Sequence, residues 1–153
     1  MRLQPIILLL LAVLLTACKD ANIQSPVPQA AVYLDIDIAR EYPGFVPESP
    51  CQSLSFPRYG SIVYERDRLG YGGVVVWIDV EGHYCAADMC CPKCLSPRQP
   101  VEVPNNGSVA TCPICGEEFT LITQYGMPTK GICRDILKPY GTNFSYGIVH
   151  IRN

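Results

Sequence analysis

Two pairs of cysteines constrain this chain more than any other feature of its sequence. The pairs are Cys91-Pro-Lys-Cys94 and Cys112-Pro-Ile-Cys115, and 17 residues lie between Cys94 and Cys112. A C-x-x-C turn places two sulfur atoms on one side of a tight loop, so two facing turns offer four thiolates in a roughly tetrahedral cage. Structural zinc sites use this ligand set, with the two pairs about 15–20 residues apart. Iron–sulfur clusters also use four cysteines. The spacing therefore predicts a shared metal site at Cys91, Cys94, Cys112 and Cys115.

The N-terminus has the pattern of a lipoprotein signal. Residues 6–15 are an apolar run that is too short to span a membrane but is typical of a signal-peptide core. It ends in Leu-Thr-Ala-Cys18, which resembles the lipobox of bacterial lipoproteins, where the cysteine is diacylated and becomes the new N-terminus. We predict a signal peptide at 1–17, lipidation of Cys18, and a flexible tether at 18–31. A short membrane anchor, or a secretory signal followed by a chance cysteine, is the alternative.

This leader predicts the location and the first partner of the protein. Several acyl chains on one terminus give lasting membrane attachment, so we expect a bacterial cell-envelope protein. The outer membrane is favoured, on its periplasmic face or at the surface. Without Arg2 the chain has 11 basic and 14 acidic residues, a net charge of −3, and no basic run. Nucleic acid is therefore excluded as a partner, and a protein partner stays unidentified.

The rest of the chain predicts one all-β domain at 32–153. The full chain has 14 prolines and 12 glycines among short apolar segments, and strong amphipathic helix patterns are missing. Residues 32–38 alternate as a half-buried strand does, and 74–78 with 83–87 form a predicted hairpin. Asn105-Asn106-Gly107 predicts a tight turn, because Asn-Gly tolerates positive φ. Three further segments are predicted to be a possible strand at 60–64, irregular chain at 42–57 and a loop at 126–131.

Four cysteines remain after the lipid and the metal site are assigned. They are Cys51, Cys85, Cys90 and Cys133. In an oxidising compartment these four cysteines could form two disulfides, but the sequence does not show which would pair.

The order of these parts resembles a Rieske domain over residues 73–151. A hairpin leads into the first metal loop, and the second loop reads Cys112-Pro-Ile-Cys115-Gly-Glu-Glu-Phe119. A Rieske second loop typically reads C-P-x-H-G-x-x-F, so Cys112, Pro113, Gly116 and Phe119 match in place. A closing strand at 147–151 ends the resemblance. It implies a small antiparallel β sandwich with two metal-binding knuckle loops at one end.

The ligands depart from the Rieske pattern. A Rieske centre uses two cysteines and two histidines. Here Cys115 replaces the second-loop histidine, and the first loop is C-x2-C in place of C-x-H. The only histidines are His83 and His150, and neither has ligand spacing, so both are interpreted as surface or hairpin residues. The resemblance therefore implies a Rieske-like scaffold with a metal at one end. It does not imply a centre with two histidine ligands.

Three occupants compete for the four thiolates. Zinc is favoured, because it suits four thiolates and can bind after export. A 2Fe–2S cluster would make the protein an electron carrier, but clusters are generally built inside the cell. Oxidation of each C-P-x-C to a disulfide would make it a thiol–disulfide redox protein.

The sequence contains no residue set that argues for an enzyme. No serine and histidine are arranged as nucleophile and base, and Asp35 with Asp37 is interpreted as a solvated strand face. The expected function is a binding or scaffold module that is held together by structural zinc.

Overall fold

Ten strands form two antiparallel sheets within residues 25–60 and 67–153, which a computed structural model describes. No helix in this part of the chain is long and apolar enough to cross a membrane. The predicted signal peptide, Cys18 and positions 61–64 of the possible strand at 60–64 lie outside the described residues. The elements are β1 (Val32–Asp37), α1 (Ile38–Glu41), β2 (Ser53–Pro57), β3 (Arg68–Leu69), β4 (Gly73–Ile78), β5 (Tyr84–Asp88), β6 (Val109–Thr111), β7 (Glu118–Thr120), β8 (Met127–Lys130), β9 (Pro139–Ser145) and β10 (Ile148–Arg152).

The larger sheet has seven strands in the order β2-β4-β5-β9-β10-β1-β3, and the smaller sheet has the order β6-β7-β8. Neighbouring strands are antiparallel throughout, including the predicted hairpin, in which Ile78 pairs with Tyr84. The two cysteine loops lie at one end, where β5 leaves the large sheet and β6 leads to β7. The predicted all-β antiparallel fold, with the cysteine loops at one end, is confirmed.

Strand β4 is buried on both faces and separates two hydrophobic cores. Val74, Val76 and Ile78 pack into one core with the apolar residues of β1 and β10. Val75 and Trp77 face the other core, which includes Phe119 of the small sheet and the cysteines Cys91 and Cys112. A strand that is covered on both faces needs a continuous apolar run, which explains the unbroken sequence at 74–78. The metal loops are therefore built on the second core.

Two segments that are predicted to be irregular chain and a loop each contain a strand. β2 lies within 42–57 and β8 lies within 126–131, and each contains a proline. Both are edge strands of their sheets, where the missing N–H of proline does not break an internal ladder. Proline predicts irregular chain in both segments, but a strand can contain it at the edge of a sheet, and edge position depends on strands elsewhere in the chain.

Part of the predicted tether packs against the domain. Val27 is only 2% exposed, and the Lys138 ammonium donates to its carbonyl at 2.9 Å. The Asn153 side chain accepts from the Val32 N–H at 3.0 Å and donates to the Ala30 carbonyl. Contacts with the domain thus begin before residue 32, the boundary that the alternating strand pattern predicted.

Candidate metal centre

The four predicted ligands meet at one point. The sulfur atoms of Cys91, Cys94, Cys112 and Cys115 all lie within 4.8 Å of one another. Two distances across the loops are 3.8 Å, from Cys91 to Cys115 and from Cys94 to Cys112. Cys91 and Cys112 are buried, whereas Cys94 and Cys115 are half-buried. The arrangement is a four-cysteine metal-binding site that is reached from solvent on one side.

Both loops have the same backbone design. The N–H of the residue after each second cysteine donates to the carbonyl of the first, from Leu95 to Cys91 and from Gly116 to Cys112, both at 2.9 Å. Each closing residue has positive φ, +52° at Leu95 and +70° at Gly116. Glycine adopts this conformation freely, while a leucine there costs roughly 1 kcal/mol. The turns aim both sulfurs of each pair at the same point.

The sulfur positions fit one metal ion. A zinc ion binds thiolates at about 2.3 Å, so a regular tetrahedron around it has sulfur–sulfur edges of about 3.8 Å. The two cross-loop distances match that edge, and no two of the four sulfurs are more than 4.8 Å apart. A disulfide would require a sulfur–sulfur distance of about 2 Å, which none of the eight described cysteines has.

Without a cation, the cage disfavours four thiolates. Burial and the Cys112 thiol raise the pKa of Cys91 to about 12, although the N–H groups of Cys94 and Lys93 oppose this. Burial and hydrogen bonds with Cys115 and Cys112 also raise the pKa of Cys94. For Cys115, the Glu117 N–H and the other three thiols outweigh burial and lower the pKa. One thiolate is thus stabilised, and a bound cation would have to displace protons from the others.

A buried carboxylate joins the two loops to a third. Glu117 is 1% exposed and accepts from the Lys93 ammonium at 2.6 Å. It also accepts from the N–H groups of Ile132 and Cys133, at 2.9 and 3.0 Å. The Lys93 hydrogen bond, aided by these N–H groups, lowers the pKa of Glu117 to about 2. Gly131 leaves the necessary space, because a Cβ there would overlap the carboxylate.

A second buried carboxylate, that of Asp88, fixes the backbone just before the first cysteine loop. Asp88 is fully buried and accepts from the N–H groups of Tyr71, Gly72 and Cys90, at 2.7, 2.9 and 2.7 Å. The Tyr140 hydroxyl donates to it at 2.5 Å. A Cβ at Gly72 would lie 2.7 Å from the Cys90 nitrogen, so only glycine permits this approach. Asp88 therefore ties β5, the glycine-rich segment and β9 together beside Cys91.

Sequence reasoning missed both carboxylates. Glu117 lies within the second knuckle and Asp88 at the end of a strand, and all their donors except the Cys90 N–H are distant in sequence. The glycines at 70, 72 and 73 were a usable signal, because closely spaced glycines indicate close approach of another backbone. The four spare cysteines, Cys51, Cys85, Cys90 and Cys133, are all free thiols in the structure, so the suggested disulfides are not formed.

The histidines lie away from the cysteine cage, as predicted, but His150 is not a simple surface residue. Its ring joins Ser145, with an Oγ–Nε2 distance of 3.1 Å, to Asp35, with an Nδ1–Oδ1 distance of 2.7 Å. Burial raises the pKa of Asp35, but hydrogen bonds from Arg152 and His150 outweigh it and lower the pKa. This corrects two expectations, that Asp35 is merely solvated and that no serine and histidine are paired.

The order serine–histidine–aspartate matches a hydrolase triad, but Arg152 changes its chemistry. The guanidinium donates to the same Asp35 oxygen at 2.6 Å and lies 3.7 Å from the Tyr33 ring centroid. Because Arg152 already neutralises the carboxylate, Asp35 gives less support to a charged imidazole. The network therefore serves to join β1, β9 and β10.

Comparison with known proteins gives similarity in solved structures only. No family model matches the sequence, and no curated protein matches it. One similar structure is described as a complex of reduced oxygenase and oxidised ferredoxin in carbazole 1,9a-dioxygenase. It has 18% identity and a TM-score of 0.45, and the match covers 77% of this chain and 99% of the other. Another is a ferredoxin of Sphingomonas yanoikuyae B1, with 19% identity, a TM-score of 0.40, and coverage of 68% and 95%.

Proposed function

We propose that this protein is a membrane-anchored lipoprotein whose Rieske-like domain binds one structural zinc ion through Cys91, Cys94, Cys112 and Cys115. The observation that carries the proposal is the convergence of all four sulfurs to within 4.8 Å. A bound zinc ion would supply two positive charges, which offset the repulsion of the thiolates and join the two loops. The domain then acts as a binding or scaffold module.

The same distances weigh against the 2Fe–2S alternative. A four-cysteine cluster divides its ligands between two iron atoms, so its thiolates cannot all surround one point. The sulfurs here are spaced for one ion, with cross-loop edges of 3.8 Å. Export as an unfolded chain also favours a metal that binds outside the cell. Electron transfer through a cluster is the second candidate function, and thiol–disulfide exchange is the third.

Metal analysis of the full chain, purified anaerobically from the membrane of its host in detergent, tests this assignment. We expect at least one zinc per chain, no iron, and no visible absorption, because zinc has a filled d shell. Two irons with labile sulfide and strong visible absorption would establish the cluster. If no metal is present and a thiol titration shows that the four cysteines are oxidised to disulfides, the result would instead support thiol–disulfide exchange.

The lipid anchor is proposed from the sequence pattern at 15–18 alone. Cys18→Ala is expected to yield an uncleaved or mis-sorted precursor that takes up no labelled fatty acid. Cys51→Ala is the matched control, since it removes another cysteine and should leave labelling unchanged. Equal labelling of the Cys18→Ala chain would contradict the lipobox interpretation, whatever the metal content proves to be.

A further inference from the structure

The turn between β4 and β5 presents a second group of metal-ligand atoms. One side-chain atom each from Asp79, Glu81 and His83 lies within 4.8 Å of the other two. The Nδ1 atom of His83 is 3.3 Å from an Asp79 oxygen and 3.5 Å from a Glu81 oxygen. The group combines one imidazole with two carboxylates, so it differs from a simple acidic patch.

These distances are poor for hydrogen bonds and suitable for a coordination shell. Good N–H···O bonds measure 2.7–3.2 Å, and a single Nδ1–H cannot serve two carboxylates well. Zinc binds nitrogen and oxygen at about 2.0–2.2 Å, so neighbouring ligands of a tetrahedral shell lie roughly 3.3–3.5 Å apart. The two distances at His83 equal this edge length. The His83 nitrogen therefore lies at ligand-to-ligand distance from one oxygen of each carboxylate.

Asp79 is held in place for this role. It is 3% exposed, and its Oδ1 accepts from the N–H groups of Glu81 and His83, at 2.9 and 2.8 Å. This leaves Oδ2 facing the imidazole, and the Cys85 thiol also donates to it at 3.9 Å. Fixing one oxygen orients the other, as outer partners do in metal sites.

The local charge also favours a cation. Two carboxylates converge here, and in the described part of the chain His83 is the only basic side chain at ion-pair distance from either of them. Its neutral form brings no positive charge. A divalent ion would neutralise both carboxylates.

The turn forms part of the wall of a cavity of about 630 Å³. Further wall residues come from 123–125 and from β9, and they include Tyr125 and Thr142. Three protein ligands leave at least one coordination position of a tetrahedral ion open, which is the arrangement of reactive zinc sites and not of structural ones. Water or a donor atom of a small molecule in the cavity would fill that position.

We propose that Asp79, Glu81 and His83 form a second metal site, which binds a divalent cation of the zinc class at the wall of this cavity. The imidazole nitrogen favours zinc, copper or nickel over magnesium and calcium, which prefer oxygen ligands alone. β5 separates this site from the cysteine cage, since His83 precedes the strand and Cys91 follows it. The site is therefore independent of what the four cysteines bind.

Calorimetric titration of the full chain in detergent with Zn²⁺ tests this proposal after the cysteine site has been filled. The wild type is expected to bind a second equivalent. His83→Ala should weaken that binding at least about 10-fold, as loss of an inner ligand must exceed the 10–100-fold effect of outer partners. His83 is 68% exposed, so the change leaves the core intact. His150→Ala, which removes the other histidine, is the matched control and should bind normally.

Cobalt provides a second readout of the same site. Co²⁺ added to the zinc-filled chain is expected to give weak visible bands without thiolate-to-metal charge transfer, because the ligands are nitrogen and oxygen. Glu81→Gln should reduce these bands and His150→Ala should not. The proposal would be overturned if the wild type binds no Zn²⁺ beyond the equivalent in the cysteine site, or if His83→Ala still binds the second equivalent normally. Charge transfer from a thiol to the added Co²⁺ would also overturn it.

Discussion

Replacing Cys112 by serine is expected to lower the melting temperature by at least about 5 °C. Structural zinc contributes on the order of 10 kcal/mol to the folding of small peptides, which is comparable with the whole stability of a domain of this size. The two cores of this domain reduce that dependence, so the loops should loosen before the sheets separate. A loss of only a few kcal/mol already accounts for the expected shift. Calorimetry of the wild type and the variant measures it.

Cys51→Ser is the matched control, because Cys51 is half-buried, forms no disulfide and lies outside the cage. Its melting temperature should stay within about 2 °C of the wild type, as for most substitutions away from a core or site. A strong chelator should reproduce the Cys112→Ser loss in the wild type and add little to the variant. An unchanged melting temperature in Cys112→Ser, with a wild type that is insensitive to the chelator, would remove the structural-metal role and favour thiol chemistry.

Asp88→Ala is expected to lower the melting temperature by about 10 °C. The change leaves the buried N–H groups of Tyr71, Gly72 and Cys90 without an acceptor, together with the Tyr140 hydroxyl. Hydrogen bonds to a charged group contribute about 1.5–3 kcal/mol each, so even partial relaxation should cost at least about 3 kcal/mol. At roughly 3–4 °C per kcal/mol for a chain of this size, the shift follows. Thermal unfolding followed by circular dichroism measures it.

Tyr140→Phe is the graded control for Asp88. It removes one of the four donors and keeps the ring in the core, so it should cost about a third of the Asp88→Ala shift or less. The Asp88→Ala chain should also retain metal less well than the Tyr140→Phe chain, because the Cys90 N–H bond fixes the start of the first loop. Equal shifts in the two variants would mean that Asp88 does not organise the donors as described.

Local patterns in the sequence predicted the site and most of the central strands. The cysteine spacing was sufficient because a C-x-x-C turn has few backbone solutions, and both loops adopt one of them with positive φ at Leu95 and Gly116. The alternation at 32–38 and the apolar run at 74–78 correspond to β1 and β4. The turn predicted at 105–107 has positive φ at Asn105 and Asn106, whereas Gly107 has a φ of −81°.

The predictions failed where a residue's role depends on distant chain. β2 and β8 are strands in spite of their prolines because each lies at the edge of its sheet. Which strand lies at an edge depends on how the other strands pair, and one segment does not reveal this. His150 was read as a surface residue, yet Asp35 and Ser145 meet it across β1 and β9. The second group of ligands went unnoticed because Asp79, Glu81 and His83 carry no metal-site spacing that is known to be specific.

The sequence by itself determined the four cysteines of the cage and the all-β class, because both depend on residues that are close along the chain. Only the tertiary structure decided how the cage is held. Asp88 and Glu117 became organising groups because folding brought N–H donors from separate segments to carboxylates that are removed from water. A buried carboxylate requires such donors, and their identity depends on which strands pair.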